Sequence, residues 1–131
     1  MRYLLDSHTY LWFSLNSPKL SKAAMSLIEN PDNQIFISIA SLWEISIKHS
    51  LGKLTLSGSY ESIYKEIMEE NIEVLPINFW HTNQLNSLPF HHQDPFDRMI
   101  ASQALVEEMD VIGTDSKFDL YFANSSISRI W

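Results

Sequence analysis

The sequence predicts an α/β fold, a three-layer α/β/α sandwich around a mostly parallel central sheet. Arg2-Tyr3-Leu4-Leu5 is a short apolar run that reads as a strand buried on both faces, Gln34-Ile35-Phe36-Ile37-Ser38 is a strand rich in β-formers, and Asp110-Val111-Ile112-Gly113-Thr114 opens a last βα passage. Segments with helical spacing separate them, and that alternation builds parallel sheets through helical crossovers. Two of these strands run into an acid, Asp6 and Asp115, at the end of the strand where ligands enter such sheets.

In chain order, a helix is expected over residues 7–15 and another over 21–29, where Ala24, Leu27 and Ile28 share a face; Pro31 ends it. After the strand at 34–38, Trp43, Ile47 and Leu51 stand four apart in a helix over 40–51, with Gly52 placed as its C-terminal glycine. Ser57-Gly58-Ser59 is a turn. A helix over 60–71 leads into a strand at 72–75, and residues 79–87 form a further helix. Residues 88–93 are a loop. Asp94-Pro95 then opens the clearest helix, with Asp at the N-cap, Pro at the first helical position and Met99, Ile100, Ala104 and Leu105 on its apolar face. A βα passage through Asp110 to Asp115 follows, and residues 126–131 alternate like a final strand near a sheet edge.

The 131 residues, 45% of them hydrophobic with only three glycines and five prolines, make one domain spanning 1–131. The absence of cysteine excludes disulfides, thiolate metal sites and cysteine nucleophiles, and fits a reducing, cytoplasmic setting. The apolar stretch before Asp6 is too short for a signal segment, and no membrane span is expected. A net charge of −7 opposes phosphate binding, which draws on Lys and Arg. Setting aside four candidate site acids leaves −3, and bound divalent cations would neutralise their pocket.

Those four acids are Asp6, Glu44, Asp97 and Asp115. Asp6 and Asp115 end strands and can face one crevice, although an Asp in that position also serves as a helix cap. Asp97 lies at the third position of its helix. A capping box would turn it back towards Asp94, but Asp is short for that reach and can instead project from the helix N-terminus. Glu44 precedes Lys48 by one turn, which fits a surface ion pair or a crevice-facing carboxylate balanced by a nearby cation. Two carboxylates about 5 Å apart repel by roughly 3 kcal/mol at an effective dielectric near 20. Four in one pocket therefore take up protons or hold cations, and Mg²⁺ or Mn²⁺ suits carboxylate oxygens better than zinc. His91 and His92 are neighbours in a loop, where adjacent side chains seldom converge on one metal. In-line phosphodiester hydrolysis by water is the matching chemistry, with no protein nucleophile required.

Three stretches carry a family resemblance: Leu4-Leu5-Asp6-Ser7-His8; Ser41-Leu42-Trp43-Glu44-Ile45 with Gly52-Lys53-Leu54; and His92-Gln93-Asp94-Pro95-Phe96-Asp97-Arg98 with the helix that follows. Together they resemble the PIN-domain ribonucleases, specifically the VapC-type toxins of bacterial toxin–antitoxin pairs. The resemblance implies that Asp6, Glu44, Asp97 and Asp115 are the catalytic and metal-binding acids of an Mg²⁺- or Mn²⁺-dependent endoribonuclease. It also implies homodimerisation and inhibition by a cognate antitoxin protein bound across the site. A dehalogenase-like phosphatase would place a second acid two residues after Asp6, where this chain has His8. A receiver module would use a lysine near the last strand, for which Lys117 is a loose match, and a non-catalytic binding protein would leave the acids vestigial.

Overall fold

The computed structural model describes residues 1–131. The elements run β1 (Arg2–Leu5), α1 (Ser7–Ser14), α2 (Lys22–Glu29), β2 (Gln34–Ser38), α3 (Ile39–Ser50), α4 (Ser62–Glu69), β3 (Ile72–Leu75), α5 (Phe79–Ser87), α6 (Pro95–Glu107), β4 (Asp110–Ile112), α7 (Lys117–Phe122) and β5 (Arg129–Ile130). All five strands pair in parallel, in the order β3-β2-β1-β4-β5. Leu5 sits in register with Ile37 on one side and Ile112 on the other.

The strand alternation builds two cores. Tyr3, Leu5, Ile35, Ile37, Ile72 and Ile112 face Tyr10, Ala24, Leu42, Ile45 and Ile67 of the four helices α1 to α4. Their neighbours Leu4 and Val111 point the other way, onto Ile100, Ala101 and Ala104 of α6 and Phe118 and Phe122 of α7. Helices cover both faces of the central strands, so β1, β2 and β4 bury apolar residues in succession, whereas β3 and β5 lie at the edges with exposed Glu73 and half-buried Arg129; the three-layer sandwich expected from the strand–helix alternation is what forms.

Helix starts follow local chemistry. Asp6, Ser21, Ser38, Asn78 and Asp94 each accept a backbone N–H as N-caps, meeting donors that an α-helix leaves unpaired in its first turn. The boundaries differ from expectation in two places. The helix expected over 60–71 is confined to Ser62–Glu69, because the Tyr60 hydroxyl is drawn to the Leu42 carbonyl (3.1 Å) and Asn71 turns left-handed at φ 55°. The terminal strand shrinks from 126–131 to Arg129–Ile130, because Ser125 folds a turn with its hydroxyl and Ser128 donates its N–H to Asp110 Oδ1 at 2.9 Å. No helix is long and apolar enough to cross a membrane.

From β1 the chain winds outward to β2 and β3, then returns to the other side of β1 for β4 and β5. The order therefore reverses between β1 and β4, and the crevice beyond their C-terminal ends is the ligand-binding position of an open α/β sheet.

Candidate active site

Asp6 follows β1 directly. Its N–H continues the ladder to the Ile112 carbonyl (3.1 Å), and its Oδ1 caps α1 by accepting the Thr9 N–H at 2.8 Å. The capping role and the crevice-facing role are compatible, because capping occupies one carboxylate oxygen. The other lies over Gly113, just past β4, where a Cβ would come within 2.9 Å of Asp6 Cγ. Glycine at 113 is thus a requirement of close approach rather than of backbone conformation. Asp6 is 4% exposed, and burial raises its carboxyl above the ordinary Asp value against the opposing Thr9 hydrogen bonds.

Glu44, on the second turn of α3, is buried. Its Oε1 accepts from the Ser7 hydroxyl at 2.7 Å and its Oε2 pairs with Lys48 at 2.8 Å. The Glu44–Lys48 pair is therefore present, but as an anchored carboxylate beside α1 rather than a surface contact. The same bond to Glu44, assisted by the charges of Asp94 and Asp97, raises the Lys48 ammonium above its usual value.

Asp97 owes its direction to the loop before α6. Asp94 accepts the N–H groups of Phe96 (2.8 Å) and Asp97 (3.2 Å), but its own N–H goes to His92 Nδ1 at 3.1 Å. The donor that a capping-box acid would reach back for is already satisfied, so Asp97 turns outward into the crevice. Burial pushes its carboxyl up to about 7, with the nearby charges of Asp94, Glu44 and Asp6 adding to the rise and His92 opposing it. Asp115 behaves oppositely. Burial pushes it up, but the Lys117 N–H at 2.9 Å and the His92 ring outweigh that and hold it below the ordinary Asp value.

The four candidate acids thus come from beyond the ends of β1 and β4, from α3 and from α6; Asp97 lies within electrostatic reach of Glu44 and Asp6, and Asp6 within that of Asp115. Asp94 is engaged in capping, and Asp119 holds Arg129 through both its oxygens at 3.0 Å. A further Arg129 nitrogen donates to the Gly113 carbonyl at 3.1 Å, keeping that guanidinium beside Asp115 and Asp6. Lys48 flanks the pocket on one side, with Lys117 and Arg129 on the other. Phe96 and Trp43, chain neighbours of Asp97 and Glu44, meet edge to face at 5.3 Å, with Trp43 60% exposed.

One residue was not anticipated. His92 Nε2 lies 2.8 Å from Asp115 Oδ2 and 3.1 Å from Asp97 Oδ2, while His91 turns away onto the Tyr121 ring. The two histidines do not converge, as expected, but His92 alone joins the acids. A usable signal was its place two residues before an N-cap, from which a side-chain acceptor can take the cap's own N–H as in an Asx turn.

The donors fit a hard divalent cation. The ligand atoms of His92, Asp97 and Asp115 lie within 4.8 Å of one another, a group that could hold a metal ion, and the rise of Asp97, through burial first and then its acidic neighbours, is a strain that a cation would relieve. Asp6 and Glu44 lie outside that group.

The PIN domain family model matches residues 3–121. No curated protein sequence matches the chain. Among solved structures, VapBC2 from Rickettsia felis bound to a promoter DNA fragment is similar over 98% of both chains, with TM-score 0.69 and 19% identity. VapBC-1 from nontypeable Haemophilus influenzae is similar over 97% of this chain and 96% of its own, with TM-score 0.64 and 22% identity. DNA-bound VapBC from Salmonella typhimurium is similar over 98% of both chains, with TM-score 0.69 and 16% identity. These are likenesses of fold; the family match covers most of the sequence and includes every candidate acid, and the chain belongs to the PIN domain family.

Proposed function

We propose that the chain is a divalent-metal-dependent endoribonuclease acting as the toxin of a toxin–antitoxin pair. The observation that carries this reading is the convergence of Asp6, Glu44, Asp97 and Asp115 at the switch point between β1 and β4. Mg²⁺ or Mn²⁺ held there supplies Lewis-acid stabilisation of the charge that gathers on a phosphoryl group attacked by water. The chain itself does the positioning. Ser7 and Lys48 fix Glu44, Gly113 leaves room for the Asp6 carboxylate, and the Lys117 N–H holds Asp115. Burial and acidic neighbours raise the Asp97 carboxyl to about 7 in the cation-free pocket, and a bound cation would hold it ionised. Lys48, Lys117 and Arg129 offer cationic contacts to flanking phosphates despite the net charge of −7. The exposed Trp43 ring beside Glu44 offers a face on which an unpaired base can stack, which favours single-stranded RNA over a small phosphate ester.

The similar solved structures from Rickettsia felis, Haemophilus influenzae and Salmonella typhimurium are VapBC proteins. That supports a cognate antitoxin as this chain's protein partner; a homodimer as its working form is part of the same proposal and rests on the family resemblance alone. Purified protein should cut RNA with Mg²⁺ or Mn²⁺ and stop with a chelator. Asp6→Asn and Asp97→Asn should abolish cutting while preserving the circular dichroism spectrum, and cleavage persisting in both variants refutes the reading. Expression should arrest growth, with relief by the product of an adjacent small gene.

A further inference from the structure

We propose that His92 is a resident hydrogen-bond bridge competing with divalent cations for Asp97 and Asp115, so that a cation binds this half of the pocket only as the bridge releases. The proposal rests on the metal-dependent reading above and deepens it. His92 Nδ1 accepts the Asp94 N–H at 3.1 Å, which assigns the ring proton to Nε2. That single N–H donates to Asp115 Oδ2 at 2.8 Å, and Asp97 Oδ2 stands 3.1 Å from the same nitrogen in an ion-pair contact. The ring therefore occupies the space beside two carboxylate oxygens that would be offered to a cation.

Ligation by His92 itself conflicts with this arrangement. A nitrogen that coordinates a cation needs its lone pair free, which would move the ring proton to Nδ1 and set it against the Asp94 N–H, donor facing donor. The surrounding loop keeps the ring where it is. The His92 N–H donates to the Tyr121 hydroxyl at 2.9 Å, and that hydroxyl also accepts from Arg98 at 3.1 Å. Arg98, itself buried, donates to the Pro89 carbonyl at 2.8 Å and lies under the Phe90 ring, 4.0 Å from its centroid. Asp6 and Glu44 make no contact with His92, so the bridge acts on the Asp97–Asp115 half of the pocket. His92 is by this account a positioning residue, standing against the two acids and weakening their hold on a cation.

The test uses the full chain stripped by chelation and titrated with Mn²⁺ at one fixed pH, followed by calorimetry and by electron paramagnetic resonance. His92→Ala should bind Mn²⁺ about tenfold more tightly, the scale of a charge-assisted hydrogen bond removed from the competing state. His92→Gln, whose amide can donate from nearly the same place, should stay near the parent value. Unchanged or weaker binding by His92→Ala overturns the proposal, the weaker result marking His92 as a ligand. No binding by either protein at millimolar Mn²⁺ overturns it as well. Nitrogen NMR of the unsubstituted protein provides a readout independent of any variant's folding. The Nε2–H tautomer should be seen before Mg²⁺ is added, and its hydrogen bond to Asp115 should be lost at saturation; persistence of that bond refutes the competition. None of these readouts involves RNA. Absence of cleavage with the bridge released would defeat the proposed function alone, and cleavage with an unreleased bridge would defeat only this inference.

Discussion

Replacing Asp97 by Asn should stabilise the cation-free protein, increasingly so as pH rises. In the folded chain this carboxyl is displaced from 3.8 to about 7, through burial first and then through Asp94, Glu44 and Asp6. Once ionised, such a group costs the folded state about 4 kcal/mol relative to the unfolded chain. The Asp97 side chain retains 23% of its surface in solvent, and screening there brings the figure to roughly 2 kcal/mol. The sign follows from the folded value lying above the unfolded one. Below 3.8 the group is protonated in both states and contributes nothing; between there and about 7 the folded state binds the extra proton, so stability falls as pH rises; above about 7 the full penalty is present. Asn cannot ionise, and its carbonyl can still accept from His92. Thermal melts with a chelator should therefore show little difference between parent and variant at pH 4 and a melting temperature higher by several degrees for the variant at pH 8. Equal or lower melting of the variant at pH 8, or a gain independent of pH, would show that Asp97 does not face the other acids.

Two other substitutions probe the scaffold. Gly113→Ala places a Cβ within 2.9 Å of Asp6 Cγ and should destabilise by about 1–3 kcal/mol in urea denaturation while weakening Mn²⁺ binding; parent-like values in both would mean that Asp6 does not lie over this residue. Arg98→Lys keeps the charge but loses the fork that reaches Pro89, Leu88 and Tyr121. It should cost roughly 2 kcal/mol and speed amide exchange across residues 88–94, and unaltered exchange there would show that the guanidinium does not organise that loop.

What could be read from the residues was what depends on short range or on topology. The start of α6 was legible because Asp94 and Pro95 carry their own capping chemistry. That Asp6 and Asp115 lie at the same end of the sheet was legible because parallel crossovers send strand ends to one edge, whatever lies between them in the chain. Glu44 was harder, since the same four-residue spacing to Lys48 serves an exposed pair and a buried one; only the Ser7 hydroxyl across the crevice decides between them. The boundaries of α4 and β5 escaped because Tyr60 and Ser125 make hydrogen bonds that no periodicity registers. His92 escaped for a related reason. Its partners lie five and 23 positions away on different elements, and its direction is set by a loop whose shape depends on a buried arginine.

The strand order also bears on how the chain matures as a ribosome delivers it. β1, β2 and β3 can assemble as soon as they emerge, but β1 then has an open edge until β4 inserts beside it. Asp6 and Glu44 leave the ribosome early, whereas Asp97 and Asp115 come from the last third of the chain. The nascent polypeptide is thus unable to bring its four acids together until α6 and β4 have emerged and taken their places beside β1.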